Sequence, residues 1–542
     1  MTHGHRRRMA LALMVLGAAL RAWQFFGRGT LWLDEAAIAR NVLSRGYREL
    51  LEPLDFAQIA PKGFLLVEKL AVELFGPTEL ALRLFPFVTA LAALPLFYRL
   101  ARRVLTERGA LMALGLFAVL SRPIHYGAEA KQYGSDIFFT IVLLLFALPV
   151  IRGRPGARHA LRLGVAGAVA VWFSQPSIFI LAGVATAVAL AVLQRRIRLG
   201  LPFATMVGLW AVSALPAIWM TMHSLRGLEN DYMRSFWVEG FWPAPTSLKA
   251  LAWPIVTLYG LFEDPLGMPV AAIGIVLFAL GWYVIARGGA IELVLLLSPF
   301  AFALLASVLR LFPFATTVIG FNKIAAGNGR VLLFLLPALI LVTIAGLNYL
   351  IWAPTTLARH AGRALAVLVF GAPLFYDLVE LPHTPHDLRE VMRIVVRDRQ
   401  PGDHLYVYYG ARQAFEFYRA SFPFADEEVT LGACLRPHWR EYLRELDELR
   451  GRSRLWVLVA HPSTMRGVRE AAVIEGYLDR VAPKLGRWGR KDATLILYDM
   501  RAASRPAAAD RALWHPPPRR LPADTVPLGH SCMGVFPPIV QR

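Results

Sequence analysis

Asp34 and Glu35 stand side by side in Leu31-Trp32-Leu33-Asp34-Glu35-Ala36-Ala37-Ile38, with apolar neighbours on both sides. Carboxylates in such company titrate high, which suits a general base taking a proton from a reacting hydroxyl. A structural reading has equal standing: Asp34 as the N-cap of a helix running through Leu43 accounts for the same residues. Lys62, in Ala60-Pro61-Lys62-Gly63-Phe64, opens an apolar stretch through Phe75. At about 14 residues that stretch is too short to span a bilayer and suited to lie along its surface. Lys62 there either meets a phosphate at headgroup level or snorkels like any interfacial lysine.

A second group sits in His125-Tyr126-Gly127-Ala128-Glu129-Ala130-Lys131-Gln132-Tyr133. Glu129 and Lys131 read either as a solvated pair or, at a membrane edge, as functional ionisable residues. Further on, Gly327-Asn328-Gly329-Arg330 opens an apolar run. A guanidinium at that edge can grip phosphate in bidentate fashion or simply anchor the helix. Residues 222–266 hold Trp237, Trp242 and Trp253 among Asp231, Glu239, Glu263 and Asp264. An aromatic belt at the interface is favoured there over rings that stack on sugars.

The elements that must position these groups are membrane helices. Of 542 residues, 56% are hydrophobic and only 18% charged, against about 25% charged in soluble domains. With a mean hydropathy of +0.48, this excludes an ordinary water-soluble enzyme. About eleven apolar blocks approach the length of about 20 residues that crosses a bilayer. They lie near 9–26, 80–100, 109–126, 134–151, 160–176, 177–193, 201–221, 267–287, 290–309, 330–352 and 362–380. Gln175-Pro176 marks either a turn or a kink between the fifth and sixth. The apolar run after the basic N-terminus continues without a cleavage motif and reads as a retained first helix.

The net charge of +20 does not indicate nucleic acid, because the arginines cluster in short connections between spans. With the N-terminus inside, Arg6–Arg8, Arg99–Arg108, Arg152–Arg162, Arg195–Arg198, Arg287, Arg359 and Arg363 all fall on the inner side. The loop 27–79, with six basic and eight acidic residues, then lies outside, as does everything after about 381. There, strand-like runs at 403–410, 454–461 and 493–499 alternate with helix-like stretches at 411–420, 438–450 and 465–481. That alternation predicts a small α/β domain, followed from about 501 by an Ala/Pro/Arg-rich tail without fixed structure. Both cysteines, Cys434 and Cys532, fall in this outer segment, where an oxidising compartment permits a disulfide.

The expected fold is thus an α-helical polytopic membrane protein, residues 1–380, with a C-terminal α/β soluble domain at 381–500 and a disordered tail at 501–542. The order of Leu31-Trp32-Leu33-Asp34-Glu35, Ala60-Pro61-Lys62-Gly63-Phe64-Leu65, Arg83-Leu84-Phe85-Pro86, Glu129-Ala130-Lys131-Gln132-Tyr133 and Arg330 resembles the C-type membrane glycosyltransferases. The branch it resembles is the family 39-like one, which includes protein O-mannosyltransferases and the lipid A aminoarabinose transferase. The resemblance covers roughly 9–380. It implies a polyprenyl-phosphate-linked sugar donor, inverting transfer at the outer face of the inner membrane, and a lipid, glycan or protein acceptor. By the same resemblance Asp34 is the catalytic base with Glu35 in support, and Glu129 and Tyr133 contact substrate. Lys62, Lys131 and Arg330 meet the donor phosphate, although Lys131 stands where relatives carry arginine and Lys62 where they carry a second proline. No cofactor is implied with certainty; a divalent metal is compatible with the superfamily, and these residues do not demand one.

Two alternatives belong to other classes. A transporter or flippase usually shows related halves and charges buried within its spans, and neither is present. A non-catalytic relative that binds carrier lipid would keep the phosphate contacts and show no turnover.

Overall fold

The computed structural model describes residues 2–153, 157–197, 200–225, 236–316, 328–383, 388–419, 422, 425–434, 439–462, 464–465, 468–490, 493–501 and 503. Cys532, Asp231 and the tail from 504 lie outside the described residues. The chain forms two compact units. The first comprises 1–28, 60–223 and 235–383; the second comprises 29–59, 224–234 and 384–542.

The first unit is helical. Its elements are α1 (His3–Gly27), α3 (Lys62–Phe75), α4 (Glu79–Val104), α5 (Glu107–Val119), α6 (Ser121–Tyr126), α7 (Tyr133–Ile151), α8 (Ala157–Phe173), α9 (Ser177–Leu193), α10 (Leu201–Ser224), α11 (Leu248–Glu263), α12 (Ala271–Gly288), α13 (Ala290–Val308), α14 (Leu336–Ile351) and α15 (Thr356–Glu380). The intervening α2 belongs to the second unit. Each of the eleven apolar blocks coincides with helix. Among the described residues eight helices are long and apolar enough to cross a membrane, and the chain is a multi-pass membrane protein. The three blocks that fall short are α5 at 13 residues and α8 and α9 at 17 each.

Local chemistry explains where the blocks break. Thr78 and Thr106 cap α4 and α5 by accepting the amides of Ala81 and Gly109, both at 3.2 Å, which satisfies donors that a helix start leaves open. The block at 109–126 is not one span: Leu120 is extended at φ −75, ψ 125, and α6 restarts with Pro123 in its first turn, where a missing N–H costs nothing. Ser174-Gln175-Pro176 is a turn, closed by the Ser177 amide on the Ser174 carbonyl at 3.1 Å, so α8 and α9 are separate helices. α12 and α14 touch backbone to backbone: a Cβ on Gly281 would collide with the Val342 carbonyl, and one on Gly346 with that of Leu277. Membrane helices, which gain little from burying apolar surface in lipid, use such small residues to bring backbones together.

The second unit contains α2 (Leu33–Ser44) and, after α16 (Leu388–Asp398), an α/β domain. Its sheet has the order β2-β1-β3-β7-β6, made of β1 (Asp403–Val407), β2 (Val429–Leu431), β3 (Arg454–Ala460), β6 (Lys484–Arg490) and β7 (Ala493–Asp499). The short pair β4 (Thr464–Met465) and β5 (Val468–Arg469) stands apart. β1 is parallel to β2 and β3, whereas β7 runs antiparallel to β3 and β6. The helices are α17 (Arg412–Tyr418), α18 (Trp439–Asp447) and α19 (Glu470–Val481). The three predicted strands and the cores of the three predicted helices are all present. β2 and β6 were not foreseen: one is three residues long, and the other, Lys484–Arg490, is too basic to read as a strand.

Candidate functional site

α2 and α17 pack together, so the 29–59 loop is held by the C-terminal domain. The Tyr418 hydroxyl accepts the Leu31 amide at 2.8 Å, Arg40 donates to the Gln413 side chain, and the Trp32 ring meets His461 edge-on at 4.6 Å. These contacts bracket Asp34. The capping expectation for Asp34 is corrected: the cap lies two residues earlier, at Trp32, and α2 begins at Leu33. The reach back to the Trp32 amide is made by Glu35 at 2.9 Å, because the third helical position is the one whose side chain meets the cap amide. Glu35 is fully buried and Asp34 half-buried.

The other five residues singled out from the sequence lie in the first unit. Lys62 is the first residue of α3 and is 7% exposed, too enclosed for a snorkelling chain. Glu129 and Lys131 are 3% and 4% exposed, so the solvated-pair reading is also corrected. Glu129 instead forms a buried ion pair with Arg28 at 3.2 Å and lies 3.3 Å from His125 Nε2. The Lys131 amide closes a tight turn on the Glu129 carbonyl at 2.7 Å. Arg28 also donates to the His125 carbonyl at 3.2 Å, while its own carbonyl accepts from buried Arg83 at 3.3 Å.

Arg330 brings the tenth block to the same place. Its guanidinium lies over the rings of Tyr133 at 5.4 Å and Trp237 at 5.8 Å, and its charge acts on Glu129 and Tyr126. Tyr126 and Tyr133 meet edge-on at 5.6 Å. The long loop reaches Arg330 because Gly240 is pinned: its carbonyl accepts from Phe314 at 2.7 Å and from Ser307 at 2.8 Å. Trp237 and Trp253 are therefore buried rather than belted; only Trp242 is exposed, stacked on Trp253. Just before Arg330, the Gly329 amide donates to Asp264 at 3.1 Å, and Asp264 also pairs with Arg122 at 2.9 Å.

Protonation states follow from these neighbours. Burial opposes ionisation of Glu129, but the His125 hydrogen bond and the charges of Arg28 and Arg330 outweigh it and hold the carboxyl below the usual carboxylate range. Burial, reinforced by Arg28, pushes His125 down to about 4, so at neutral pH the pair is a carboxylate beside a neutral imidazole. The Glu129 carboxylate thus stands between the charges of Arg28 and Arg330, with Lys131 in the same turn, cations suited to hold an anion.

Arg28, Arg83, His125 and Asp264 were given no role from the sequence, and Trp237 was read as part of an aromatic belt. Arg28 carried the signal that singled out Arg330, an arginine at the outer edge of an apolar helix; nothing in the sequence places Asp264 or Trp237 beside Arg330, because tertiary packing alone brings them here. Among the described residues no three His, Cys, Asp or Glu side chains converge on a point that could hold a metal ion.

Residues 60–219 match the family described as dolichyl-phosphate-mannose-protein mannosyltransferase. No curated protein matches the chain by sequence. Among solved structures, ArnT from Cupriavidus metallidurans in the apo state is similar at a TM-score of 0.52 and 12% identity, over 93% of this chain and 99% of that one. ArnT from Cupriavidus metallidurans bound to undecaprenyl phosphate gives a TM-score of 0.50 at 12% identity, over 93% and 100%.

Proposed function

Because the chain has the fold of the C-type membrane glycosyltransferases, we propose that it moves a sugar from a polyprenyl-phosphate carrier to an acceptor hydroxyl, with inversion. The reading sets this at the outer face of the inner membrane, with the N-terminus cytoplasmic and the C-terminal domain periplasmic. The observation that carries it is the placing of cations about buried Glu129: Arg28 pairs with it, the charge of Arg330 acts on it, and buried Lys131 shares its turn. Cations so placed suit a lipid-linked phosphate, and the solved ArnT complex with undecaprenyl phosphate supports the choice of carrier.

In this reading the acceptor oxygen attacks the anomeric carbon as the bond from that carbon to the phosphate oxygen breaks. The bonding pair stays on the phosphate, whose growing charge Arg330, Lys131 and Lys62 stabilise more in the transition state than in the ground state. The acceptor proton goes to Asp34, a step worth typically about 10²–10⁴-fold. Glu35, committed to the Trp32 amide, holds the start of α2 and so the orientation of Asp34. Glu129 and Tyr133 order the turn and the ring on which Arg330 rests and face the sugar. The carrier phosphate is itself the activated leaving group, so no nucleotide-binding loop is required.

The test is transfer from a panel of radiolabelled polyprenyl-phosphate hexoses and pentoses in proteoliposomes. Wild type transfers one of them and Asp34→Asn loses at least about 10²-fold of that rate while still binding the carrier. A wild type that binds carrier yet transfers none of the panel is the non-catalytic relative instead.

A further inference from the structure

The N-terminal end of α1 lines a cavity of about 380 Å³ that the transfer reaction does not use. Arg6, Arg7, Ala10, Leu11 and Met14 lie on its wall, at spacings of three and four that put them on one face of the helix. Tyr98 and Arg102 of α4 stand opposite, and Glu107 at the start of α5 closes the end. The groove is therefore amphiphilic along its length, with guanidiniums at the helix end and apolar side chains one to two turns deeper. Its apolar part is open outward, since Leu11 is 62% exposed.

The charges do not balance. Arg6 forms an ion pair with Glu107, Arg102 lies 3.6 Å from the same carboxylate, and Arg7 has no ion pair among the described residues. Three guanidiniums thus share one acid, and each added positive charge raises the energy of the others. An anion at this point offsets that repulsion. An inorganic ion would leave the apolar half of the groove uncovered, whereas a phospholipid fills both halves. Basic pockets between helices at one membrane face bind anionic headgroups in this way.

We propose that the groove between α1 and α4 is a site for an anionic phospholipid, its headgroup phosphate held by Arg6, Arg7 and Arg102 and an acyl chain laid along Ala10, Leu11 and Met14. It is distinct from the Arg330 cluster. Arg28, which pairs with Glu129, follows the far end of α1, and 25 residues of helix place about 37 Å between the two ends. The site belongs to the leaflet at the arginine-rich end of α1.

Native mass spectrometry of the purified full chain titrated with phosphatidylglycerol tests this, with phosphatidylcholine as the zwitterionic probe. One retained phosphatidylglycerol is expected, weakened about 5-fold by Arg7→Ala and by Arg102→Ala and about 30-fold by both. Arg8→Ala, which removes a neighbouring charge outside the cavity, leaves it unchanged, as does Arg330→Ala. Leu11→Trp, which fills the apolar half, weakens retention with no change of charge. Equal retention of phosphatidylcholine overturns the proposal, as does an Arg8→Ala loss matching Arg7→Ala. So does loss in Arg330→Ala, which would assign the lipid to the other cluster. Unchanged melting temperatures of the lipid-free variants separate loss of the site from loss of the fold.

Discussion

Asp264 accepts the amide proton of Gly329 at 3.1 Å, and nothing larger than glycine fits at 329. A Cβ there would lie 2.5 Å from the Asp264 backbone carbonyl oxygen, well inside van der Waals contact. Residues 65 positions apart thereby fix the turn that presents Arg330. Gly329→Ala is expected to cost about 1–3 kcal/mol as an overpacking change and to weaken carrier binding. Asp264→Asn keeps the shape but breaks the ion pair with Arg122. Melting temperature and carrier affinity, measured on both variants, separate the packing effect from the charge effect.

Arg330 presents a planar fork between Tyr133 and Trp237. Arg330→Lys keeps the charge and loses both the fork and its stacking. Carrier affinity is expected to fall about 10-fold in Arg330→Lys and further in Arg330→Ala, while Trp237→Leu gives a smaller loss. Titration of each variant with undecaprenyl phosphate reads this ranking; a lysine variant as good as wild type would mean that point charge alone suffices.

The Tyr418 hydroxyl holds the Leu31 amide three residues before Asp34. Tyr418→Phe leaves that amide unsatisfied, at a cost of about 1–3 kcal/mol. Turnover is expected to fall several-fold with the carrier affinity unchanged, a split between kcat and binding that a general loss of stability would not give.

His125 provides the pH signature. Burial and Arg28 lower it from 6.5 to about 4, so the folded protein keeps a neutral ring where the unfolded chain takes up a proton. Between those values the unfolded state binds more protons, and stability falls as pH falls. Melting curves from pH 7 to 4 are expected to show this loss, and His125→Asn to flatten it.

The parts of the molecule legible in the sequence are those set by local pattern. Each apolar block is helical, and the strands at 403, 454 and 493 appear because runs of Val, Leu and Tyr bounded by turn residues admit little else. Gln175-Pro176 and Arg122-Pro123 both mark real breaks; the sequence left the first open between a turn and a kink and did not signal the second, which sits inside an otherwise apolar run. In the site, Glu129, Tyr133 and Arg330 were legible as charges and rings at a membrane edge. Their partners were not. The buried state of Glu129 depends on Arg28, 101 residues earlier, and the seat of Arg330 depends on a loop folded back through Gly240. The capping assignment missed by two positions because Trp32 and Leu33 give no local signal of where α2 starts. That the 29–59 loop belongs with residues beyond 384 rests on Tyr418, Gln413 and His461, contacts no periodicity encodes.

The proposed transfer requires a phosphate held beside Glu129 and Arg330, and native mass spectrometry with undecaprenyl phosphate measures that most directly. Wild type should retain one carrier lipid, and Lys131→Ala and Arg330→Ala should each lose it at least about 5-fold. Asp34→Asn should retain it in full. Retention no greater than that of an unrelated membrane protein, or retention indifferent to both substitutions, would contradict the account and remove the donor from the proposed reaction.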